Sequence, residues 1–125
     1  MLMHVDHSVL LLIDFQVRLQ PAIHDATQVL EAGVWLTRLA QRLQVPVICT
    51  EQYPKGLGPT MPALRALLPD ECMIEKLHFS AVAGSGLFEA HGGERAHFVV
   101  AGTEAHVCVQ QTVLDLLAAG RRVFV

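Results

Sequence analysis

The sequence has few charged residues, few aromatic residues and few cysteines, and these shortages limit the kind of protein it can be. Charged residues make up 17% of the 125 residues, aromatic residues make up 6%, and cysteine occurs three times. Three cysteines cannot all pair, and they show no zinc-like spacing, so we expect a reducing compartment and no disulfide framework. The sequence therefore predicts a cytoplasmic protein.

Long apolar runs and a basic surface are also missing. No run approaches the ~20 residues that a membrane-spanning helix needs. The opening segment, MLMHVDHSVLLLIDFQ, lacks the basic region of a signal peptide. The formal net charge of −3 and the pI of about 6.1 are unlike the basic face of a nucleic-acid-binding protein. We expect neither a membrane nor a nucleic acid as a partner.

Seven histidines suggest metal binding, but their spacing does not support it. They form neither an HExxH motif nor a CxxC motif followed by histidine. We predict no metal site and no cofactor.

What the sequence has in excess is apolar residues, at 52% of the chain, with a mean hydropathy of +0.40. All-parallel sheets, which are buried on both faces, have this composition. The hydrophobic pattern predicts strands at residues 8–13, 45–50, 72–76, 97–101 and 123–125. Helical patterns lie between them at residues 25–44, 60–68, 87–91 and 105–119. The order predicts a single α/β domain over residues 1–125, a doubly wound, mainly parallel, Rossmann-like three-layer sheet with strand order 3-2-1-4-5. No closing element follows the last strand, so we expect the C-terminal part of the domain to be missing.

Three chemically active side chains fall at the carboxyl ends of predicted strands. Asp14 follows the first strand, Lys76 ends the third, and Cys108 lies in the first turn of the helix after the fourth. In a doubly wound sheet these ends share one edge, where ligands bind. Each residue also has an ordinary interpretation: Asp14 as a helix cap, Lys76 as a solvated charge, and Cys108 as a small buried hydrophobe.

Together the three side chains predict covalent catalysis. Cys108 would attack an electrophilic carbon, and Asp14 would take the thiol proton and later return it. Lys76 and the start of the helix would lower the pKa of the thiol, and backbone N–H groups around residues 104–108 would form an oxyanion hole.

The chain resembles the isochorismatase-like cysteine hydrolase superfamily, which includes nicotinamidases and N-carbamoylsarcosine amidohydrolase. The resemblance rests on three motifs in order: LLLIDFQ around Asp14, EKLHFSA around Lys76 and AGTEAHVCVQQTVLDLLAAG around Cys108. It implies an Asp14–Lys76–Cys108 triad and a non-proline cis peptide at Thr103–Glu104. It also implies oxyanion donors at the N–H groups of Glu104 and Cys108, and assembly into homo-oligomers.

One departure from the family bears on the substrate. Nicotinamidases place an Asp-x-His metal motif after the second strand, where this chain has Glu51-Gln52-Tyr53. The loop TEQYPKGLG therefore indicates a divergent, less characterised branch related to nicotinamidases. As residues lining the pocket for a small-molecule substrate we predict Phe15, Gln52, Phe79 and His106.

The predicted function is cleavage of a small amide or related C–N bond through a thioester intermediate. Three alternatives remain: isochorismatase-type vinyl-ether hydrolysis, which need not use the thiol; a non-catalytic oligomeric or binding scaffold; and a redox-sensing thiol. The last would need a resolving partner, and we expect Cys49 and Cys72 to be buried.

Overall fold

A computed structural model describes residues 2–125, and its strands coincide with the apolar runs of the chain. In that part of the chain, five parallel strands form one sheet in the order β3-β2-β1-β4-β5. The strands are β1 (Ser8–Ile13), β2 (Val47–Gln52), β3 (Met73–Lys76), β4 (His97–Gly102) and β5 (Arg122–Phe124). The predicted α/β fold and strand order are confirmed.

The helices differ more from prediction than the strands do. They are α1 (Ala26–Arg42), α2 (Pro54–Leu57), α3 (Pro62–Arg65) and α4 (Gln110–Ala118), and a π-helical turn at Ala105–Val109 leads into α4. Short 3-10 turns lie at Val5–His7, Gln20–Ala22, Asp70–Cys72 and Leu87–Glu89. The helix predicted after the fourth strand therefore starts as a wider π-helical turn. Within residues 2–125, no helix is both long and apolar enough to cross a membrane.

Strand β1 is the centre of the core, and its alternating side chains reach both faces of the sheet. Val9, Leu11 and Ile13 pack into the cluster that contains Leu116 of α4. Leu10 and Leu12 pack into the opposite cluster, with side chains from α1. All five are at most 2% exposed. This two-sided burial explains why the run is continuously apolar.

Two local predictions need correction. The helix predicted at residues 60–68 is shorter, because α3 has Met61 as its N-cap and ends at Arg65. The Thr60 amide and hydroxyl donate to Glu51 Oε2, at 2.6 and 2.8 Å. Cys72 is only partly buried, since it lies in a 3-10 turn before β3.

Candidate active site

The first site residue, Asp14, lies directly beyond the end of β1 and is fully buried. Its backbone is left-handed, with φ of 55°, a conformation that Asp adopts more readily than most residues. The Thr103 hydroxyl donates to the Asp14 carbonyl at 2.7 Å, and the Asp14 amide donates to the Thr50 carbonyl at 3.2 Å. Neighbouring strands thus hold the Asp14 backbone at the carboxyl edge of the sheet.

The second site residue, Lys76, forms a buried ion pair with Asp14. Lys76 Nζ donates to Asp14 Oδ2 at 2.9 Å, and both side chains have no exposed surface. The ammonium also contacts Gln52 Oε1 at 2.8 Å and the carbonyls of Phe79 and His78 at 2.9 and 3.3 Å. Buried lysine is rare unless it is paired, because an unpaired charge in the interior is costly. Lys76 is therefore a fixed internal cation.

The third site residue, Cys108, lies in the π-helical turn after β4 and is 5% exposed. Burial is the main cause that raises the pKa of its thiol, to about 11, and hydrogen bonding to Asp14 and the charge of Asp14 raise it further. Lys76 acts in the opposite direction, through both its charge and a hydrogen bond. The charges of Asp14 and Lys76 therefore act on the Cys108 thiol in opposite directions.

The predicted lowering of the Cys108 pKa is wrong, and the reason is physical. Removal of the thiolate from water disfavours the charged form, and the nearby Asp14 carboxylate repels it. The charge of the Lys76 ammonium and its hydrogen bond lower the pKa of the thiol, but by less than these effects raise it. At neutral pH, Cys108 is a protonated thiol beside an ion pair.

The backbone between β4 and Cys108 makes a tight approach to β1. A Cβ atom at Gly102 would lie 2.3 Å from the Ile13 carbonyl oxygen, so only glycine fits there. The Thr103–Glu104 peptide bond is cis. Within residues 2–125, the Glu104 amide has no hydrogen-bond acceptor, whereas its carbonyl accepts from Val107 and Val109 at 3.1 and 3.2 Å.

The four predicted pocket residues lie in different settings. Phe15 is 2% exposed and packs in the core against Gly33 of α1. Gln52 is held between the Lys76 ammonium and the Leu77 carbonyl. Phe79 is 52% exposed beside the site, and His106 is exposed.

A cavity of about 530 Å³ opens next to Lys76. It is lined by Tyr53, Pro54, Lys55, Glu75, Lys76, Leu77, His78 and Gly84. These residues follow β2, end β3 or follow β3, so the cavity is at the carboxyl edge of the sheet, as the ion pair is. Within residues 2–125, no group of three His, Cys, Asp or Glu side chains is arranged to hold a metal ion.

Two polar side chains that support the site were not among the residues predicted from the sequence. Thr50 Oγ1 donates to Asp14 Oδ1 at 2.7 Å. Gln16 Nε2 donates to the carbonyls of Gln52 and Gly58 at 2.9 and 2.8 Å, and Gln16 Oε1 accepts from the Gln52 amide at 2.7 Å. Gln16 and Thr50 are polar residues near the carboxyl ends of two predicted strands. Thr50 alone does not indicate a site, because β-branched threonine is also common within strands.

Comparison with known proteins places the chain in a family. The family model described as the isochorismatase domain matches residues 8–125. Isochorismatase domain-containing protein 1 of Salmo salar is 42% identical over 110 residues, which cover 86% of this chain and 38% of that protein.

Solved structures share the fold of this chain. The MAR1 ribonuclease from Caenorhabditis elegans is 34% identical with a TM-score of 0.88, over 97% of this chain and 62% of that one. The YcaC gene product of Escherichia coli, an octameric hydrolase of unknown specificity, shares the fold at 24% identity, with a TM-score of 0.89 over 98% of this chain and 62% of that one. The chain thus spans from 38% to 62% of the length of these three proteins. By its matching domain, its sheet topology and its relatives, the chain belongs to the isochorismatase family.

Proposed function

We propose that this chain is a hydrolase that cleaves a small amide or related C–N bond, with Cys108 as the nucleophile. The observation that carries the proposal is the buried Asp14–Lys76 ion pair, joined at 2.9 Å, beside the Cys108 thiol. Isochorismatase-family membership supports a hydrolase. Two charges without exposed surface are costly in a protein interior, and such groups concentrate at functional sites.

The raised pKa of Cys108 makes a general base necessary. A neutral thiol is a poor nucleophile, so its proton must leave as the sulfur–carbon bond forms. Asp14 takes this proton, and the Lys76 ammonium is paired with the Asp14 carboxylate before the transfer. The amides of Glu104 and Cys108 donate to the oxygen of the substrate carbonyl as it gains negative charge.

The remaining steps return every group to its starting state. Asp14 gives its proton to the leaving nitrogen as the C–N bond breaks, which leaves a thioester on Cys108. A water molecule then attacks the thioester carbon, Asp14 accepts the water proton, and the sulfur leaves and takes that proton from Asp14. The products are an amine and a carboxylic acid.

The partners in this proposal are a small molecule and further copies of the chain. The cavity of about 530 Å³ beside Lys76 has room for a small-molecule substrate. The octameric state of the YcaC neighbour supports homo-oligomer formation. We place the protein in the cytoplasm, as its unpaired cysteines favour.

The first test is hydrolysis of a panel of small amides, with mass spectrometry of the trapped acyl adduct. We expect turnover of at least one amide, an adduct on the Cys108 peptide, and a loss of about 10³-fold or more in kcat/KM for Cys108→Ser. Cys72→Ser, a change of the same type at a partly exposed cysteine, is the matched control and should retain activity.

Two results would reject the thioester mechanism. Turnover of a vinyl ether that survives Cys108→Ser would favour the isochorismatase-type reaction. A folded protein that turns over neither class of substrate would favour the scaffold.

A second prediction uses the pH dependence of iodoacetamide labelling at Cys108. Since the Asp14 charge raises the thiol pKa, Asp14→Asn should move the labelling midpoint below about 11 and accelerate labelling at neutral pH, while amide hydrolysis is lost. Cys49, whose pKa burial raises to about 12, serves as the internal reference. Slower labelling of Cys108 in Asp14→Asn would contradict the assigned charge interaction.

A further inference from the structure

The two oxygens of the Asp14 carboxylate have different partners. Oδ2 accepts from Lys76 Nζ at 2.9 Å, whereas Oδ1 accepts from the Thr50 hydroxyl at 2.7 Å. Thr50 is 0% exposed and is paired with Ile13, the residue before Asp14, across β1 and β2. The hydroxyl is therefore fixed by the sheet itself and does not depend on a mobile loop.

A hydrogen bond to a charged carboxylate stabilises that form over the protonated one. The Cys108 thiol competes for the same carboxylate, because proton transfer from sulfur to Asp14 neutralises Asp14. A donor at Oδ1 makes this transfer less favourable. We propose that Thr50 is a positioning residue, acting through Asp14, that keeps the shared proton on the Cys108 sulfur until a substrate is present. This inference rests on the proposed role of Asp14 and Cys108.

Few other groups that face Asp14 could decide whether the proton lies on the Cys108 sulfur or on the Asp14 carboxylate. Lys76 faces it from β3, and Cys108 faces it from the π-helical turn. On β2, Cys49 feels the charge of Asp14, but burial holds the pKa of Cys49 at about 12, so it stays protonated. Thr50 does not titrate, so it adds no titration step of its own to the Cys108 profile.

The test compares Thr50→Val, which removes the hydroxyl at nearly constant shape, with Thr50→Ser, which keeps it. The readout is the rate of iodoacetamide labelling at Cys108 as a function of pH. For Thr50→Val we expect a labelling rate about tenfold higher at neutral pH. The loss of one charge-assisted hydrogen bond to Asp14 makes proton transfer from the Cys108 sulfur more favourable.

Thr50→Ser should label at the wild-type rate within about twofold. Thr37→Val is the matched control, since the Thr37 hydroxyl is also buried and donates to a carbonyl, that of Gly33, at 2.8 Å in α1. It should leave the Cys108 profile unchanged. In the Asp14→Asn background, Thr50→Val should have no further effect on labelling.

Three results would overturn the inference. They are equal profiles for wild type and Thr50→Val, an effect that persists in Asp14→Asn, and faster labelling of Cys49 together with Cys108, which would indicate general loosening. Thermal unfolding of each variant shows that the compared proteins are folded. A protein without amide turnover or acyl adduct would reject the proposed function, whereas unchanged labelling in Thr50→Val alone rejects only the role of Thr50.

Discussion

Buried polar side chains have hydrogen-bond partners at the carboxyl edge of the sheet, whereas one at the amino edge has an atom without a partner. At the carboxyl edge, Asp14 and Lys76 are fully buried and charged, and strands β2 and β3 supply partners for both. At the amino edge, His97 is also buried, but its Nδ1 atom has no hydrogen-bond partner within residues 2–125. Its ring contacts those of His7 and Phe124, each with centroids 5.9 Å apart. The buried charges lie at the edge where strand ends supply complementary groups, as the cost of an unpaired buried charge requires.

The cavities at the two edges differ in the same way. The cavity of about 530 Å³ beside Lys76 has both polar and apolar walls. The hollow of about 230 Å³ at the other edge lies between α1 and the starts of β1 and β4, and its walls are almost wholly apolar. Orientation of a polar substrate requires placed polar groups, so the comparison favours the carboxyl edge as the site of chemistry.

The largest expected effect comes from breaking the ion pair. Lys76→Met would leave the Asp14 carboxylate buried without a counter-charge, which should lower the free energy of unfolding by about 3–5 kcal/mol. Urea denaturation measures this change. Arg65→Met removes the cation from the surface pair with Asp70 and should lower the free energy of unfolding far less. An equal decrease in the free energy of unfolding in both variants would mean that the buried pair stabilises the fold no more than the surface pair does.

The next effect concerns the close approach of β4 to β1. Gly102→Ala would place a Cβ atom 2.3 Å from the Ile13 carbonyl oxygen, and the resulting displacement should cost about 1–3 kcal/mol. Urea denaturation measures this loss. The rate of iodoacetamide labelling at Cys108 should change as well, because the π-helical turn follows Gly102 closely along the chain.

The matched control for this substitution is at the opposite edge. Gly120→Ala has a φ of +78° but open space around the new Cβ, so only the backbone preference, about 1 kcal/mol, should be lost. A Gly120→Ala variant as unstable as Gly102→Ala would show that backbone conformation, and not steric contact, explains both losses.

The position of the site at the carboxyl edge of the sheet could be predicted from the sequence. The bounds of β1 and the order of the sheet follow from hydrophobic pattern and connection rules, so the ends of β1, β3 and β4 could be assigned to one edge from the sequence alone. The positions of Asp14, Lys76 and Cys108 at those ends followed in turn.

Side-chain partners and solvation could not be predicted in this way. The raised pKa of Cys108 depends on how deeply the π-helical turn is buried, and the role of Thr50 depends on register between strands. Neither the depth of burial nor the register between strands can be read from the local sequence pattern. Phe15 was predicted to line the pocket, but its side chain packs in the core against Gly33.

The smallest effect tests the amino edge. The pKa of His97 lies below its ordinary value of 6.5, first because of burial and then because of the charges of Arg122, His7 and His4. The unfolded chain therefore binds this proton more readily than the folded one. The stability that neutral His97 contributes is fully present above pH 6.5 and is lost as the pH falls through the folded-state pKa.

His97→Phe removes this titration and the unpartnered Nδ1 atom while it keeps an aromatic ring against His7 and Phe124. Urea denaturation at about pH 5.5 and about pH 8 should show a smaller acid loss of stability than in wild type. His24→Phe, at a side chain that is 96% exposed, should retain the wild-type loss. If stability falls by the same amount at acid pH in all three proteins, groups other than His97 cause the decrease. The buried histidine would then not destabilise the amino edge. The contrast with the fully partnered carboxyl edge would then rest on geometry alone.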